Sequence, residues 1–308
     1  QVELISGPGC PVCVTQVGFI DEAIYLALER QVTICTFGDL VRVPGTNMSL
    51  AGARERGAKI RIVYSPVDAK EYAKEHPKEQ VTFLSVGFET TTPSACLSVK
   101  KAREEGLTNY SILTANKTMP QAYEALKESA DIFLYPGHVN AITGTKLCEE
   151  LAKEGVSGVV AGFTAKELLT ALAVALARFQ EGRPFFVNCY PRVVTENGSP
   201  QAQKLVEEMM EPCDSEWRGL GVIKGSGMRL QEEWSAFDAR KKYKIPLIQG
   251  KANPACRCGD VLQGKCKPSD CKVFGKVCTP QHPIGACMVS GEGACSAYYM
   301  YGEAEKMK

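Results

Sequence analysis

Cysteine is the residue type with the most chemistry in this chain, and it is unevenly distributed. The sequence has 14 cysteines, and seven of them fall between residues 256 and 295. Disulfide frameworks are typical of small secreted domains, whereas the rest of this chain shows helices and strands that need no covalent crosslinks. The terminal group therefore predicts metal or redox chemistry, with structural disulfides as the alternative. Its members are Cys256, Cys258, Cys266, Cys271, Cys278, Cys287 and Cys295.

The spacing of these seven thiols matches neither a two-cluster ferredoxin nor a zinc ribbon built from paired C-x-x-C motifs. Four dispersed thiolates can still enclose an iron–sulfur cubane if the fold brings them together, and thiols then remain for a separate exchange pair. Zinc is the alternative from spacing alone. From residue 251 onward the composition shifts to Cys, Gly, Pro and Lys. We expect this segment to need a cluster or covalent bridges in order to fold.

A second thiol site stands near the start, where residues 7–13 read Gly-Pro-Gly-Cys-Pro-Val-Cys. A C-x-x-C pair can close a small ring, and a nearby helix N-terminus would stabilise a thiolate. The glycines and prolines predict a rigid, exposed turn. We interpret Cys10 and Cys13 as a redox or metal-contacting pair, and two small buried thiols are the alternative.

Two polar loops follow predicted strands, at the positions where α/β folds place ligands. Residues 87–93 contain Glu89, and residues 136–140 contain His138. Each of these side chains is a candidate for the site, although a cap or turn role is the alternative. The chain has only three histidines, which excludes a His-rich metal site, and it lacks a P-loop motif.

The bulk composition excludes some classes of function. Of the 308 residues, 36 are Lys or Arg and 35 are Asp or Glu, which argues against a nucleic-acid surface. The most apolar stretch, residues 168–179, is too short to span a bilayer and predicts a deeply buried helix. The chain begins at Gln1 and not at Met. We therefore expect the natural protein to start upstream of this residue.

Short β-branched runs alternate with helical periodicity over residues 1–180, and this alternation predicts parallel sheets with helical crossovers. Two sheet domains fit the number of strands better than one, with a boundary near residues 106–109. The predicted strands cover residues 1–5, 32–37, 59–64, 81–86, 111–114, 132–135 and 158–161.

Several motifs, taken in order, resemble those of the HypD family, and the resemblance covers nearly the whole chain. They lie at residues 7–15, 87–91, 136–139, 190–194, 217–238 and 278–295. One departure is that HypD-like sequences carry an upstream Cys-Gly-Gly-His motif whose cysteine is thought to bind iron. The present sequence starts after that point, so we expect either a truncated chain or a protein without this ligand.

The resemblance implies a cytoplasmic scaffold for maturation of NiFe hydrogenases, and not a conventional turnover enzyme. Iron with two cyanides and one carbon monoxide, Fe(CN)2CO, would be built on the pair formed with a HypC-like protein. A HypE-like protein would donate the cyanide, and the iron would pass to the hydrogenase large subunit. No membrane or nucleic acid is expected as a partner. The leading alternative is a thiol–disulfide oxidoreductase of the ferredoxin–thioredoxin reductase type.

The same resemblance implies roles for individual residues. The ligands of a 4Fe–4S cluster would be Cys256, Cys271, Cys278 and Cys295. Beside it, Cys258 and Cys287 would form a redox-active pair. Cys10 and Cys13 would be a second pair facing a central cleft, with Glu89 and His138 on neighbouring loops. Cys266 matches no ligand of the family and stays unassigned.

The predicted fold is therefore α/β, with two Rossmann-like parallel-sheet domains and a Cys-rich, mostly irregular and helical iron–sulfur domain. Residues 1–108 would form the first sheet domain, residues 109–235 the second, and residues 236–308 the Cys-rich domain.

Overall fold

A computed structural model describes residues 2–182 and 184–302 of the chain. Within these residues, nine β-strands form three sheets. The strands are β1 (Thr33–Thr36), β2 (Ile60–Ile62), β3 (Val81–Gly87), β4 (Tyr110–Asn116), β5 (Phe133–Pro136), β6 (Gly158–Ala161), β7 (Phe186–Asn188), β8 (Met210–Trp217) and β9 (Gly221–Leu230).

The helices of the same residues connect and cover these strands. They are α1 (Pro11–Val14), α2 (Val17–Glu29), α3 (Leu50–Glu55), α4 (Pro66–Glu75), α5 (Thr92–Glu104), α6 (Met119–Ala125), α7 (Gly137–Thr143), α8 (Lys146–Lys153), α9 (Ala165–Phe179), α10 (Pro200–Met209), α11 (Ala239–Lys242), α12 (Cys258–Leu262) and α13 (Ala294–Tyr301). Short 3-10 helices lie at Gly38–Arg42, Lys127–Ser129, Glu232–Phe237, Pro268–Asp270 and Ala286–Met288.

The first sheet is parallel throughout, with strand order β2-β1-β3-β4. Every residue of β3 and β4 is buried, which explains why both strands have apolar or small side chains on both faces. The prediction of an α/β fold with parallel sheets is confirmed. This sheet extends to Asn116, beyond residue 108, where the sequence places the first boundary.

The second sheet is also parallel and has the order β5-β6-β7. Helix α9 covers β6, but the prediction that this helix is deeply buried is wrong. Its only buried residues are Ala171 and Ala175, which pack on β6, whereas Leu169 is 67% exposed. A narrow sheet offers a helix a single contact stripe, and here alanines occupy that stripe while the leucines face outward.

An antiparallel hairpin of β8 and β9 connects the two parallel sheets. Trp217, at the end of β8, pairs with Thr15, which directly follows α1, and Gly227 of β9 pairs with Lys117, which directly follows β4. The hairpin therefore reaches both the first thiol motif and the carboxyl end of the first sheet.

We name residues 251–302 the cysteine-rich region. Its described part has two short α-helices and two 3-10 turns but no strand, as its composition predicts. Ala286 and Val289 belong to the apolar core that also holds α2 and β1, so the region is anchored to the first sheet domain. At the other end of the chain, the predicted strand at residues 1–5 is wrong: residues 2–6 have no regular structure, and Gln1 lies outside the described residues.

Candidate redox and metal site

The first thiol pair lies at the N-terminus of α1. Cys10 is the N-cap residue, and its Sγ accepts a hydrogen bond from the backbone N–H of Cys13 at 3.2 Å. The two sulfurs lie at disulfide distance, with their Cα atoms 5.3 Å apart. Both thiols are buried, while Gly7 and Gly9 are exposed. The prediction of an exposed turn is thus confirmed for the glycines and wrong for the sulfurs.

The second thiol pair joins two separate parts of the cysteine-rich region. Cys258 begins α12, and Cys287 lies in the 3-10 helix Ala286–Met288. Their sulfurs are at disulfide distance although 29 positions separate them in sequence, and their Cα atoms are 6.5 Å apart. This is the pairing that the resemblance implies.

Both pairs belong to one apolar cluster. Helix α1 packs against the 3-10 helix that carries Cys287, and the cluster includes Cys10, Cys13, Cys258 and Cys287. Cys256 and Cys295 are partly buried and pack against the same cluster. The fold therefore brings two candidate exchange pairs and two candidate ligands into one water-poor environment.

All four candidate ligands are free thiols. They are Cys256, Cys271, Cys278 and Cys295. Burial and the negative charges of the neighbouring thiols, Cys256 foremost, raise the pKa of Cys295 to about 12. Without a metal, Cys295 is therefore a neutral thiol at neutral pH, and a bound cation would be needed to stabilise its thiolate form.

The backbone around these thiols also suits a buried sulfur ligand. The N–H of Ile284 donates a hydrogen bond to Sγ of Cys278 at 3.3 Å. A Cβ atom at Gly285 would lie only 2.5 Å from Sγ of Cys256, so glycine is required for this close approach. Backbone N–H groups directed at sulfur are typical of iron–sulfur sites.

The arrangement of the donor side chains bears on the choice between a single zinc ion and an iron–sulfur cluster. Within residues 2–182 and 184–302, no three His, Cys, Asp or Glu side chains converge closely enough to bind one metal ion. A 4Fe–4S cubane makes a different demand, because each thiolate binds its own iron at a separate corner. Four free thiols, one of which accepts a backbone N–H, have the donor chemistry that such a cluster needs, and the cluster would supply single electrons next to the Cys258–Cys287 pair.

A buried arginine connects the two thiol pairs. Arg218 is 8% exposed, and its Nε donates to the carbonyl of Thr15 at 2.8 Å while Nη2 donates to the carbonyl of Pro44 at 3.1 Å. Burial lowers the pKa of Arg218 to about 10, and the negative charge of Cys256 opposes this shift. The guanidinium is therefore a cation at neutral pH, and it lines the same cavity as Cys256.

Two glycines bring this arginine close to the second pair. Gly219 has a φ of +78°, and a Cβ there would lie 2.4 Å from Cα of Gly259. Gln263 reinforces the contact, because its Nε2 donates to the carbonyls of both glycines at 3.1 Å. The start of α12, with Cys258, can therefore lie directly against the turn between β8 and β9. A side chain at either glycine would prevent this close approach.

The Glu89 carboxyl group is buried beside the start of α6. Its Oε1 accepts a hydrogen bond from the N–H of Met119, the first residue of α6, at 2.8 Å. Its Oε2 is buried without a partner in the described part of the chain, as are the hydroxyls of Tyr123 and Tyr135. Burial raises the pKa of Glu89 to about 7. The carboxyl group thus occupies a polar site between the two sheets, together with the thiol of Cys148.

His138 lies at the start of α7 and is an exposed residue, although part of its ring is covered by neighbours. The imidazole packs on Phe163, with ring centroids 5.0 Å apart. Burial by such neighbours lowers the pKa of His138, and the carboxylate of Glu292 opposes this effect. His138 is therefore near Glu292, a residue of the cysteine-rich region.

A buried lysine lies between the hairpin and the first sheet. Nζ of Lys117 donates to Oγ of Ser215 at 2.7 Å and to the carbonyl of Glu216 at 2.8 Å. Burial lowers the pKa of Lys117 to about 7. Its ammonium group stands 5.5 Å from the ring centroid of Trp217, which stacks on Phe88. These contacts connect the loop of Glu89 to the end of β8, directly before Arg218.

Comparison with known proteins identifies the family to which this geometry belongs. A family model described as "HypD: Hydrogenase formation hypA family" matches residues 1–302. The chain belongs to the HypD family. It is 41% identical to the hydrogenase maturation factor HypD of Cupriavidus necator over 315 residues, which cover 98% of this chain and 83% of that protein. The corresponding values are 43%, 98% and 82% for HypD of Rhizobium leguminosarum bv. viciae, and 41%, 99% and 83% for HypD of Escherichia coli K12.

The membership in the HypD family confirms the resemblance, and hydrogenase maturation is the function that the relatives share by name. Sequence reasoning missed Arg218 and Lys117 as parts of the site. Lys117 directly follows a parallel strand, which is the position where α/β folds place ligands, and Arg218 lies within a motif typical of HypD. No helix among residues 2–182 and 184–302 has both the length and the apolar character required to cross a bilayer.

Proposed function

We propose that this HypD-family chain is a scaffold on which the Fe(CN)2CO centre of a NiFe hydrogenase is assembled. A HypC-like protein would share the iron, a HypE-like protein would donate cyanide, and the hydrogenase large subunit would receive the product. The observation that carries the proposal is that both thiol pairs lie in one apolar cluster, with Cys256 and Cys295 packed against it. We place the reaction in the cytoplasm.

The thiol pairs provide the electrons for this chemistry. Cleavage of a sulfur-bound thiocyanate to a thiol and cyanide consumes two electrons and one proton. Oxidation of a dithiol to a disulfide supplies two electrons, so one reduced pair suffices for each cyanide. A thiolate of the Cys258–Cys287 pair would attack the Cys10–Cys13 disulfide, and exchange would leave Cys10 and Cys13 reduced. The packing of α1, which carries Cys13, against the 3-10 helix that carries Cys287 supports this order.

Restoring the reduced state requires an electron source beside Cys258 and Cys287. Cys256, Cys271, Cys278 and Cys295 would bind the 4Fe–4S cluster that delivers single electrons there. Arg218 would offset part of the negative charge of the thiolates, because its buried guanidinium has no carboxylate partner among the described ion pairs. Cys266 would remain outside the ligand set.

Replacing Cys287 with alanine tests the relay. The variant should keep the visible absorbance of the iron–sulfur cluster but lose cyanide loading, because the exchange pair is broken while the ligands remain. The measurements are anaerobic optical and EPR spectra together with the infrared cyanide bands of the iron-loaded complex. Cys96→Ala is the matched control, since Cys96 is a buried thiol of the first sheet domain, and it should load cyanide normally. Full loading by Cys287→Ala would refute the relay.

A thiol–disulfide oxidoreductase of the ferredoxin–thioredoxin reductase type is the second candidate, because it would use the same pairing of a cluster with an adjacent disulfide. The two functions differ in their product. A scaffold should co-purify with a HypC-like protein and show cyanide bands, whereas an oxidoreductase should reduce a protein disulfide with repeated turnover and show no such bands. Purified protein that contains one zinc and no iron would contradict both.

A further inference from the structure

The cysteine-rich region differs from the rest of the chain in charge. Residues 251–282 contain six Lys or Arg residues and two Asp residues. The whole chain has 36 basic and 35 acidic residues, so the remainder has 30 basic against 33 acidic. A protein that is nearly neutral overall therefore concentrates positive charge in the segment that carries the candidate cluster.

The lysines of this segment border the thiols. We name the lysine face as the exposed side chains Lys251, Lys265, Lys267, Lys272 and Lys276. Four of them lie within two positions of a cysteine: Lys265 and Lys267 flank Cys266, Lys272 follows Cys271, and Lys276 precedes Cys278. Two residues span at most about 7 Å of chain, so the backbones of these four lysines lie close to those of the cysteines.

The charges of the lysine face are available for contact with a partner protein. Arg257 forms an ion pair with Asp260 at 3.0 Å, but none of the five lysines takes part in an ion pair among the described residues. Val277 lies within the face, directly after Lys276, and is 63% exposed. An apolar side chain surrounded by unpaired charges of one sign is typical of a small protein interface.

A cavity beside this face leads to the sulfurs. It has a volume of about 950 Å³, and Cys256 and Cys258 both line it. Its charged lining consists of Arg42, Arg218, Lys251 and a single carboxylate, Glu55. Positive potential therefore extends from the surface to one ligand of the candidate cluster and to one member of the exchange pair.

We propose that the lysine face is the docking surface for a small acidic one-electron carrier protein, which supplies the electrons of the relay. This inference rests on the proposed function, since it assumes an electron acceptor behind the face. Two carrier molecules would each lose one electron, and these two electrons with two protons from water convert the Cys258–Cys287 disulfide to two thiols. The charge complementarity favours an acidic protein over a neutral thiol reductant, because unpaired lysines accelerate encounter only with a negative surface.

The test uses a plant-type 2Fe–2S ferredoxin, prereduced and freed of excess reductant, with the full chain purified anaerobically. Stopped-flow absorbance gives the second-order rate constant for ferredoxin oxidation at increasing NaCl concentrations. We expect the rate constant to fall steeply with salt. The triple variant Lys265→Glu, Lys272→Glu and Lys276→Glu should be slower at low salt by a factor on the order of tenfold or more, and this difference should vanish at high salt.

A matched triple variant provides the control. Lys78, Lys153 and Lys166 are exposed and lie far along the chain from the cysteines of the tail. Changing these three to glutamate alters the net charge equally and should leave the rate constant within about twofold of the unchanged protein. Equal slowing by both triple variants, or a rate constant independent of salt, would overturn the docking surface.

Dithionite separates this inference from the proposed function. If dithionite reduces the chromophore of every variant equally while the tail variant alone is slow with ferredoxin, docking is supported. If dithionite reduces the chromophore and ferredoxin shows no charge dependence, the docking inference fails while the scaffold proposal stands. If the protein has no reducible chromophore, both fail. Salt-sensitive binding of duplex DNA by the same lysines, with ferredoxin kinetics unaffected, would also overturn the inference.

Discussion

The first sheet and the cysteine-rich region are stabilised in different ways. Strands β3 and β4 are buried along their whole length, and apolar burial together with paired buried hydroxyl and amide groups accounts for their order. The cysteine-rich region has short helices and turns, and it contributes only a few residues to the apolar clusters of the protein. The contrast teaches that one chain can combine a region ordered by extensive burial with a region for which we expect crosslinks or a bound cluster to contribute much of the order.

The largest expected effect separates these two regions. Cys278→Ala removes a proposed ligand, and metal binding in such regions is also folding free energy. We expect amide protection over residues 251–302 to drop by roughly 3 kcal/mol or more, while amides of β3 and β4 stay protected. Hydrogen exchange read by mass spectrometry measures both regions at once. Cys96→Ala should change the metal content little, and equal protection of the tail in both variants would remove the contrast.

The contact between the hairpin and the cysteine-rich region gives the next effect. Gly259→Ala would place a Cβ 2.4 Å from the carbonyl oxygen of Gly219, and the helix would have to move away. We expect a loss of about 3 kcal/mol in the free energy of unfolding, measured by urea titration. Gly291→Ala is the control in the same region, since a Cβ there meets nothing within 4 Å. Equal stability of the two variants would contradict the close approach.

The buried carboxyl group of Glu89 makes the stability of the sheet domains depend on pH. Its pKa is raised by burial to about 7, above the value of an unfolded glutamate, so the folded state binds the proton more tightly. Stability therefore falls as pH rises from about 4.5 to 7. Neither Tyr123 nor Cys148, the titratable groups facing it, ionises in this range, because burial raises the pKa of both.

Glu89→Gln removes this charge while keeping the shape of the side chain. Above pH 7 the variant should be more stable than the unchanged protein by on the order of 2 kcal/mol, and the gap should close near pH 4.5. Denaturant unfolding at several pH values, followed by tryptophan fluorescence, measures it. A gap that does not depend on pH would mean that folding leaves the pKa of this carboxyl group unchanged.

The smallest effect concerns α9, where apolar residues contribute little to stability. Leu169 is 67% exposed, so Leu169→Gln should change the free energy of unfolding by less than about 0.5 kcal/mol. Ala175→Leu, on the buried stripe of the same helix, should cost about 1–3 kcal/mol through overpacking. Thermal unfolding of both variants compares them. A large loss from Leu169→Gln would show that the helix is covered in solution.

The sequence alone determined what depends on local pattern and on residue type. The alternation of strands and helices, the parallel sheets, the irregular tail and the family all follow from periodicity, composition and motifs in order. Each is decided within a window of neighbouring residues, where hydrophobic spacing and turn chemistry act directly. The identity of Cys10, Cys13, Cys258 and Cys287 as candidate pairs was likewise available from the motifs.

Only the tertiary structure decided which side chains face one another. It placed Cys287 against the first thiol motif, turned Glu89 inward onto α6, left the leucines of α9 exposed, and buried Arg218 between the thiol pairs. These outcomes depend on packing between segments far apart in the chain, and a local pattern carries no information about its distant partner. The same apolar run can therefore fill a core or face water, according to the width of the sheet that it meets.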